Sequence, residues 1–212
     1  MAASVFVFGA SGHGKVVIDI LERMKNIEVA FAIDDAAGAQ GRYLCGYRVL
    51  GGRGELPLNR ARADTGIVAI GDNAARCEVA AWLIAQGFKL ASAIHPAAML
   101  ARGAVIGNGS AIMAGCVINS DAVLGNNVIL NTGATIDHDC VIGDCVHIAP
   151  GCHVCGGVTV GAGSLLGAGT TVIPGVRIGA NVVVGAGSIV LHDVADGARI
   201  AGAPAKLLES TP

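Results

Sequence analysis

The sequence predicts a small α/β, Rossmann-like domain over residues 1–90 and a parallel β-helix of hexapeptide repeats over residues 91–212. Three observations predict this. First, an aliphatic residue recurs at every sixth position: Ile94, Leu100, Ile106, Ile112, Ile118, Leu124, Leu130, Ile136, Ile142, Ile148, Val154, Val160, Leu166, Val172, Ile178, Val184 and Val190. Second, Gly107, Gly125, Gly143, Gly161 and Gly179 each follow a register residue, at every third repeat. Third, the period is absent before Ile94, where apolar runs alternate with glycine-rich turns. A period of six suits neither an amphipathic helix nor plain strand alternation; it marks a hexapeptide solenoid.

In the first domain, Val5-Phe6-Val7-Phe8 reads as a buried strand, Gly9-Ala10-Ser11-Gly12-His13-Gly14 as a glycine loop, and 16–23 as a helix. A second strand over 28–33 ends in Asp34-Asp35, and a third over 66–70 ends in Gly71-Asp72-Asn73. A second helix over 74–86 stops at Gly87. This alternation predicts a parallel sheet, whose ligands bind at the carboxyl ends of strands. All three polar or glycine-rich segments fall at such ends.

In the solenoid each hexapeptide is a short strand plus a corner, and three make one coil. The register residue points inward. So does the residue two places before it, which is usually small: Ala104, Ser110, Cys116, Ala122, Ala134, Cys140, Cys152, Ser164, Thr170, Ser188. A narrow prism has no room for rings, in keeping with an aromatic content of 3%. Glycine after the register residue suits a corner that needs positive φ. Each coil rests on its neighbours, so the ends need caps. Asp196 breaks the register, and Gly202-Ala203-Pro204-Ala205-Lys206 leaves as a tail.

The net charge of −2, with no basic run, argues against a nucleic-acid partner. No segment is apolar enough to span a membrane, and the first residues carry no basic signal region. Of the seven cysteines, Cys116, Cys140 and Cys152 occupy small inward positions, while Cys45, Cys77, Cys145 and Cys155 show no disulfide pattern. Reduced thiols and a cytoplasmic location are expected.

Gly9 to Lys15 spells the start of a phosphate-binding P-loop, but Val16 stands where Mg²⁺ binding needs Ser or Thr. The order of its glycines is not the dinucleotide fingerprint either. Two readings stay open: a tight turn packing a helix on a strand, and a nucleotide-diphosphate cradle formed by N–H groups at a helix N-terminus. Asp34 and Asp35 read either as acceptors for a base or ribose or as solvated turn residues.

Six histidines are present. His13 lies in the glycine loop, within reach of a phosphate or sugar. His95 reads as structural and His192 as a solvated end residue. His153 lies between Cys152 and Cys155, but Cys152 points inward and His153 outward, which argues against zinc. His138 sits in Asp137-His138-Asp139, between inward-pointing Ile136 and Cys140. It therefore projects from a corner beside two carboxylates, which can orient a histidine and raise its basicity. His147 also points outward, half a coil away. The two can share a site only if another subunit supplies one of them.

These motifs together resemble the left-handed β-helix acyltransferases, and within them the sialic acid O-acetyltransferase/bacillosamine-type nucleotide-sugar N-acetyltransferase family. The resemblance rests on the glycine loop, Asp34-Asp35, Gly71-Asp72-Asn73, Ile94-His95-Pro96, the segment 131–143, His147 and the 202–206 tail. It implies a left-handed coil, a homotrimer with active sites between subunits, acetyl-CoA as cosubstrate and no metal. It implies that His138 is the catalytic base and Asp139 its acidic partner. His147 and Gly156 would bind acetyl-CoA, with the Gly156 N–H on the thioester carbonyl, and Gly185-Ala186 would line the CoA path. Gly12, His13, Gly14, Asp34, Asp35 and Asn131 would bind the nucleotide sugar.

The expected activity is transfer of acetyl to the 4-amino group of a UDP-, GDP- or dTDP-linked 4-amino-4,6-dideoxy sugar. The cysteines offer no convincing nucleophile, so direct attack on the thioester is expected. O-acetylation of sialic acid or another sugar is the enzymatic alternative. A zinc hydratase of the γ-carbonic anhydrase type would require two histidines five residues apart, a spacing absent from this chain. A non-catalytic nucleotide-sugar scaffold is the remaining reading.

Overall fold

The computed structural model describes residues 2–208. The chain forms two compact units, Met1–Pro96 with Asn108–Ser110, and Ala97–Gly107 with Ala111–Pro212.

The first unit runs β1 (Ala3–Phe8), α1 (Gly12–Arg23), β2 (Ile27–Ile33), β3 (Tyr43–Leu44), β4 (Tyr47–Arg48), α2 (Leu56–Asn59), β5 (Thr65–Val68), α3 (Asn73–Ala85) and β6 (Lys89–Leu90). Four strands form a parallel sheet in the order β2-β1-β5-β6. Alternate side chains of β1 and β2 feed one core, where Phe6 stacks on Phe31 at 5.8 Å and meets Phe88 edge-on. Helix α1 buries Val17, Ile18, Ile20 and Leu21, an apolar stripe at helical spacing. Helix α3 stops where Gly87 takes φ 77°, its N–H reaching Ile84 O while that of Phe88 reaches Leu83 O.

Two details depart from the sequence reading. Helix α1 starts at Gly12, so His13 and Gly14 belong to its first turn and not to a loop. The β3–β4 hairpin was not foreseen. Its turn places Cys45 and Gly46 at φ 49° and 86°, the two positive values of a type I′ turn, where cysteine is an unusual first residue.

The second unit is a β-helix of two-residue strands on three faces. The first face carries Met99–Leu100, Val117–Ile118, Thr135–Ile136, His153–Val154, Thr171–Val172 and Ile189–Val190. The second carries Val105–Ile106, Val123–Leu124, Val141–Ile142, Thr159–Val160 and Arg177–Ile178. The third includes Ala111–Ile112, Ile129–Leu130, His147–Ile148, Leu165–Leu166, Val183–Val184 and Arg199–Ala201. Successive strands on a face pair in parallel, one coil apart, as in Ile118↔Ile136 and Ile136↔Val154. The tail strand Lys206–Leu207 runs antiparallel to Arg199–Ala201 and closes the third face.

Register residues from Ile112 to Val190 are at most 1% exposed, whereas Leu100, on the edge strand of the first face, is 43% exposed. The small inward residues do more than fit. Ser164 Oγ donates to Gly179 O, Thr170 Oγ1 to Gly167 O, Ser188 Oγ to Gly185 O, and the Cys140 and Cys152 thiols to Cys155 O and Gly167 O. Hydroxyls and thiols thus donate to corner carbonyls in the core, in the case of Gly167 O beside the Thr170 N–H that it also accepts.

The glycines need a different explanation from the expected one. Gly125, Gly143, Gly161 and Gly179 have no positive φ; it falls two residues further on, at Asn127, Cys145, Gly163 and Asn181. What excludes a side chain is the next coil: a Cβ on Gly161 would overlap the backbone of Gly179 and Ala180.

Cys45, Cys116, Cys140, Cys152 and Cys155 are free thiols.

Candidate active site

In the α/β unit, the chain leaves β1 at Gly9, whose φ of 119° and close approach to the Ala69 backbone leave no room for a Cβ. Gly14 is equally constrained, by Gly9 O and Leu44. The first turn of α1 then borders a cavity of about 310 Å³ lined by Ala10, Ser11, Gly12, Lys15, Arg42 and Tyr43, among others. A helix N-terminus and two cations facing one cavity favour an anion. Sequence reasoning passed over Arg42 and Tyr43, because they sit in the hairpin it missed.

Asp34 and Asp35 are engaged within the unit. Asp34 accepts the N–H of Ala10 at 2.6 Å and of Ala36 at 2.8 Å, tying the glycine turn to the end of β2. Asp35 takes Arg53 N and Nε at 2.8 and 2.7 Å, and Arg53 also reaches Glu78. In Gly71-Asp72-Asn73, Asp72 caps α3 through Ala75 N, and buried Arg76 donates to Ile70 O, Gly71 O and Asn73. Burial lowers the Arg76 guanidinium to about 10. These two motifs brace the carboxyl ends of β2 and β5, a role that composition alone did not reveal.

In the β-helix, the predicted residues fall into two sets. His138, Asp139 and Gly156 share the corner ridge between the first and second faces. Asn131, Gly185 and Ala186 lie on the ridge between the third and first faces, and His147 lies on the third face, bonded to Asn131 at 3.3 Å. In one chain the two histidines are on opposite sides of the prism.

The His138 corner holds an oriented histidine–carboxylate pair. Its Nδ1 donates to Asp139 Oδ2 at 2.8 Å, which fixes the tautomer and leaves Nε2 as the acceptor. The side chains stay 61% and 68% exposed. That hydrogen bond, followed by the charge of Asp137, holds His138 above its ordinary range. Asp139 adopts φ 59°, at some backbone cost, and its carboxylate meets the Nδ1 edge of the ring. The ring lies across Gly156, where an added Cβ would sit 2.6 Å from Cε1 and Nε2. The Gly156 N–H has no partner among the described residues, so the His138 imidazole and an unpartnered N–H donor share one corner.

His153 is bonded to Thr135 Oγ1 at 3.0 Å. Among the described residues no cluster of three His, Cys, Asp or Glu side chains is placed to hold a metal, and no helix is long and apolar enough to cross a membrane.

Comparison with known proteins places these features. Residues 4–83 match the PglD N-terminal domain, and residues 103–138, 139–174 and 157–192 match the bacterial transferase hexapeptide (six repeats) family, so the β-helix is the left-handed one. A perosamine N-acetyltransferase from Caulobacter crescentus, solved as a histidine variant with CoA and GDP-perosamine, is 39% identical with a TM-score of 0.94, over 99% of both chains. The acetyltransferase domain of PglB from Neisseria gonorrhoeae, in complex with acetyl coenzyme A, is 35% identical over 98% of this chain and 100% of its own, with a TM-score of 0.88. WeeI from Acinetobacter baumannii is 25% identical over 98% and 100%, with a TM-score of 0.70. No curated protein sequence matched.

Proposed function

The chain belongs to the hexapeptide-repeat nucleotide-sugar acetyltransferases and is an acyltransferase, and from that premise we propose that it acetylates the 4-amino group of a nucleotide-linked 4-amino-4,6-dideoxy sugar with acetyl-CoA. The observation that carries this reading is the His138 corner, where an oriented base lies against an unpartnered N–H. The neutral amine attacks the thioester carbonyl carbon while His138 Nε2 takes its proton. The Gly156 N–H stabilises the oxyanion. The intermediate collapses with loss of the CoA thiolate, which the His138 imidazolium reprotonates. No acyl-enzyme and no metal is needed.

The cavity beside α1 supports a nucleotide diphosphate, with Gly12, His13 and Gly14 contributing the helix N-terminus and Lys15 and Arg42 the charge. Asp34 and Asp35 shape that site, since their carboxylates are already engaged. A GDP-linked sugar is the first carrier to try, given the relative bound to GDP-perosamine.

The separation of His138 from His147 favours a homotrimer in which one subunit supplies the base. Its neighbour would supply His147, with Gly185 and Ala186 along CoA and Asn131 near the sugar. We place the reaction in the cytoplasm, where acetyl-CoA is available.

The test is thiol release from acetyl-CoA against GDP-, UDP- and dTDP-4-amino sugars and free sialic acid. Turnover with one nucleotide amino sugar is the expected result. Turnover with sialic acid alone would move the assignment to O-acetylation, and silence across the panel would overturn it.

A further inference from the structure

The corner ridge that carries His138 has equivalent positions one coil apart: Ala101, Asn119, Asp137, Cys155, Ile173 and Leu191. Only at His138 and in the coil before it are these residues carboxylate or amide. Asn119 Nδ2 donates to Asp137 Oδ1 at 3.0 Å, and the same oxygen accepts the His138 backbone N–H at 2.8 Å. On the other side, His138 O accepts the Gly157 N–H at 2.9 Å. Both peptide groups of His138 are therefore fixed, one of them by a side chain that is itself held from the preceding coil.

We propose that Asp137, clamped by Asn119, is a positioning residue that fixes the backbone of His138 and sets a permanent negative charge beside its ring. It touches no reacting atom and acts through His138, so the inference rests on the acetyltransfer reading above. Asp139 orients the ring through Nδ1; Asp137 orients the peptide that carries it.

The charge is fixed because the His138 N–H and the Asn119 amide hold the Asp137 carboxyl below its usual range, so it stays ionised while His138 titrates. Asp137 in turn raises His138. The other titratable groups on the stacked corners are Asp139 and the inward-pointing Cys140 on the same coil, Asp121 on the one before and Cys155 on the one after. Asp137→Asn keeps an acceptor for the backbone N–H but removes the charge. Asn119→Ala keeps the charge but releases the clamp.

The experiment follows the His138 Cε1–H resonance of the full-length protein by NMR, identified by its loss in His138→Asn, together with kcat/KM against pH. In Asp137→Asn the titration midpoint moves to lower pH, and the acidic limb of kcat/KM moves with it. In Asn119→Ala kcat/KM falls on the order of 10-fold, less than the ~10²–10⁴ expected for loss of the base itself, because the base is displaced and not removed. A midpoint unmoved in Asp137→Asn, with only thermal stability reduced, would overturn the inference and leave Asp137 a brace of the turn. If the wild type acetylates no sugar, the functional reading fails, while the NMR titration still decides this one.

Discussion

The two units solve the same packing problem in opposite ways. Every aromatic side chain of the protein lies in the α/β unit, and the β-helix has none. In the first, a few large rings around Phe6 fill a space that no other part of the chain repeats. In the second, one inward aliphatic position is repeated from coil to coil, and the backbones of adjacent coils meet directly at the corner glycines. The functional elements differ accordingly. The α/β unit presents a helix N-terminus and two cations at the end of its sheet. In the proposed reading, the β-helix makes its site by departing from its own repeat, with Asp-His-Asp at one corner.

Stability should expose this contrast most strongly. Gly161→Val forces a side chain into the next coil's backbone, at a cost of about 3 kcal/mol. Thermal unfolding should then fall by about 6–12 °C. Retention of the wild-type Tm would mean that the coils can separate to admit a side chain.

The division of labour should show next, in kinetics. Lys15→Ala, on the cavity of the α/β unit, should raise KM for the nucleotide sugar about 10-fold and leave kcat nearly unchanged, as expected when a charge-assisted contact to substrate is lost. A fall in kcat at constant KM would place Lys15 in the chemistry instead.

The smallest effect is expected at Gly54, which has open space around it and no positive φ. Gly54→Ala should raise Tm by about 1–3 °C through the unfolded chain's entropy. A drop of several degrees would show hidden constraint in the α/β unit.

The sequence made the solenoid legible in detail because translation repeats every local error or success. The period of six identified the inward residues correctly from Ile112 onward. It also contained the Asn119–Asp137 pair, since residues one coil apart must stack, but that arithmetic was applied only to apolar positions. The role of the corner glycines was misread, because positive φ and close approach both select glycine and only coordinates separate them. In the α/β unit no repeat exists to check a reading. The Cys45-Gly46 turn lacked the usual Asn-Gly signal, so the hairpin bearing Tyr43 beside Arg42 was missed. Asp34 and Asp35 read as ligand acceptors or solvated turn residues, because Ala10 and Arg53, which engage them, lie far away in sequence.

The most direct measurement compares wild type and His138→Asn, each with acetyl-CoA and the nucleotide amino sugar that the panel selects. The account predicts a loss of at least ~10² in kcat, with KM for both substrates nearly unchanged, because the asparagine removes the base and leaves the corner in place. A His138→Asn enzyme within a few-fold of wild type would contradict it and move the proton transfer to another group.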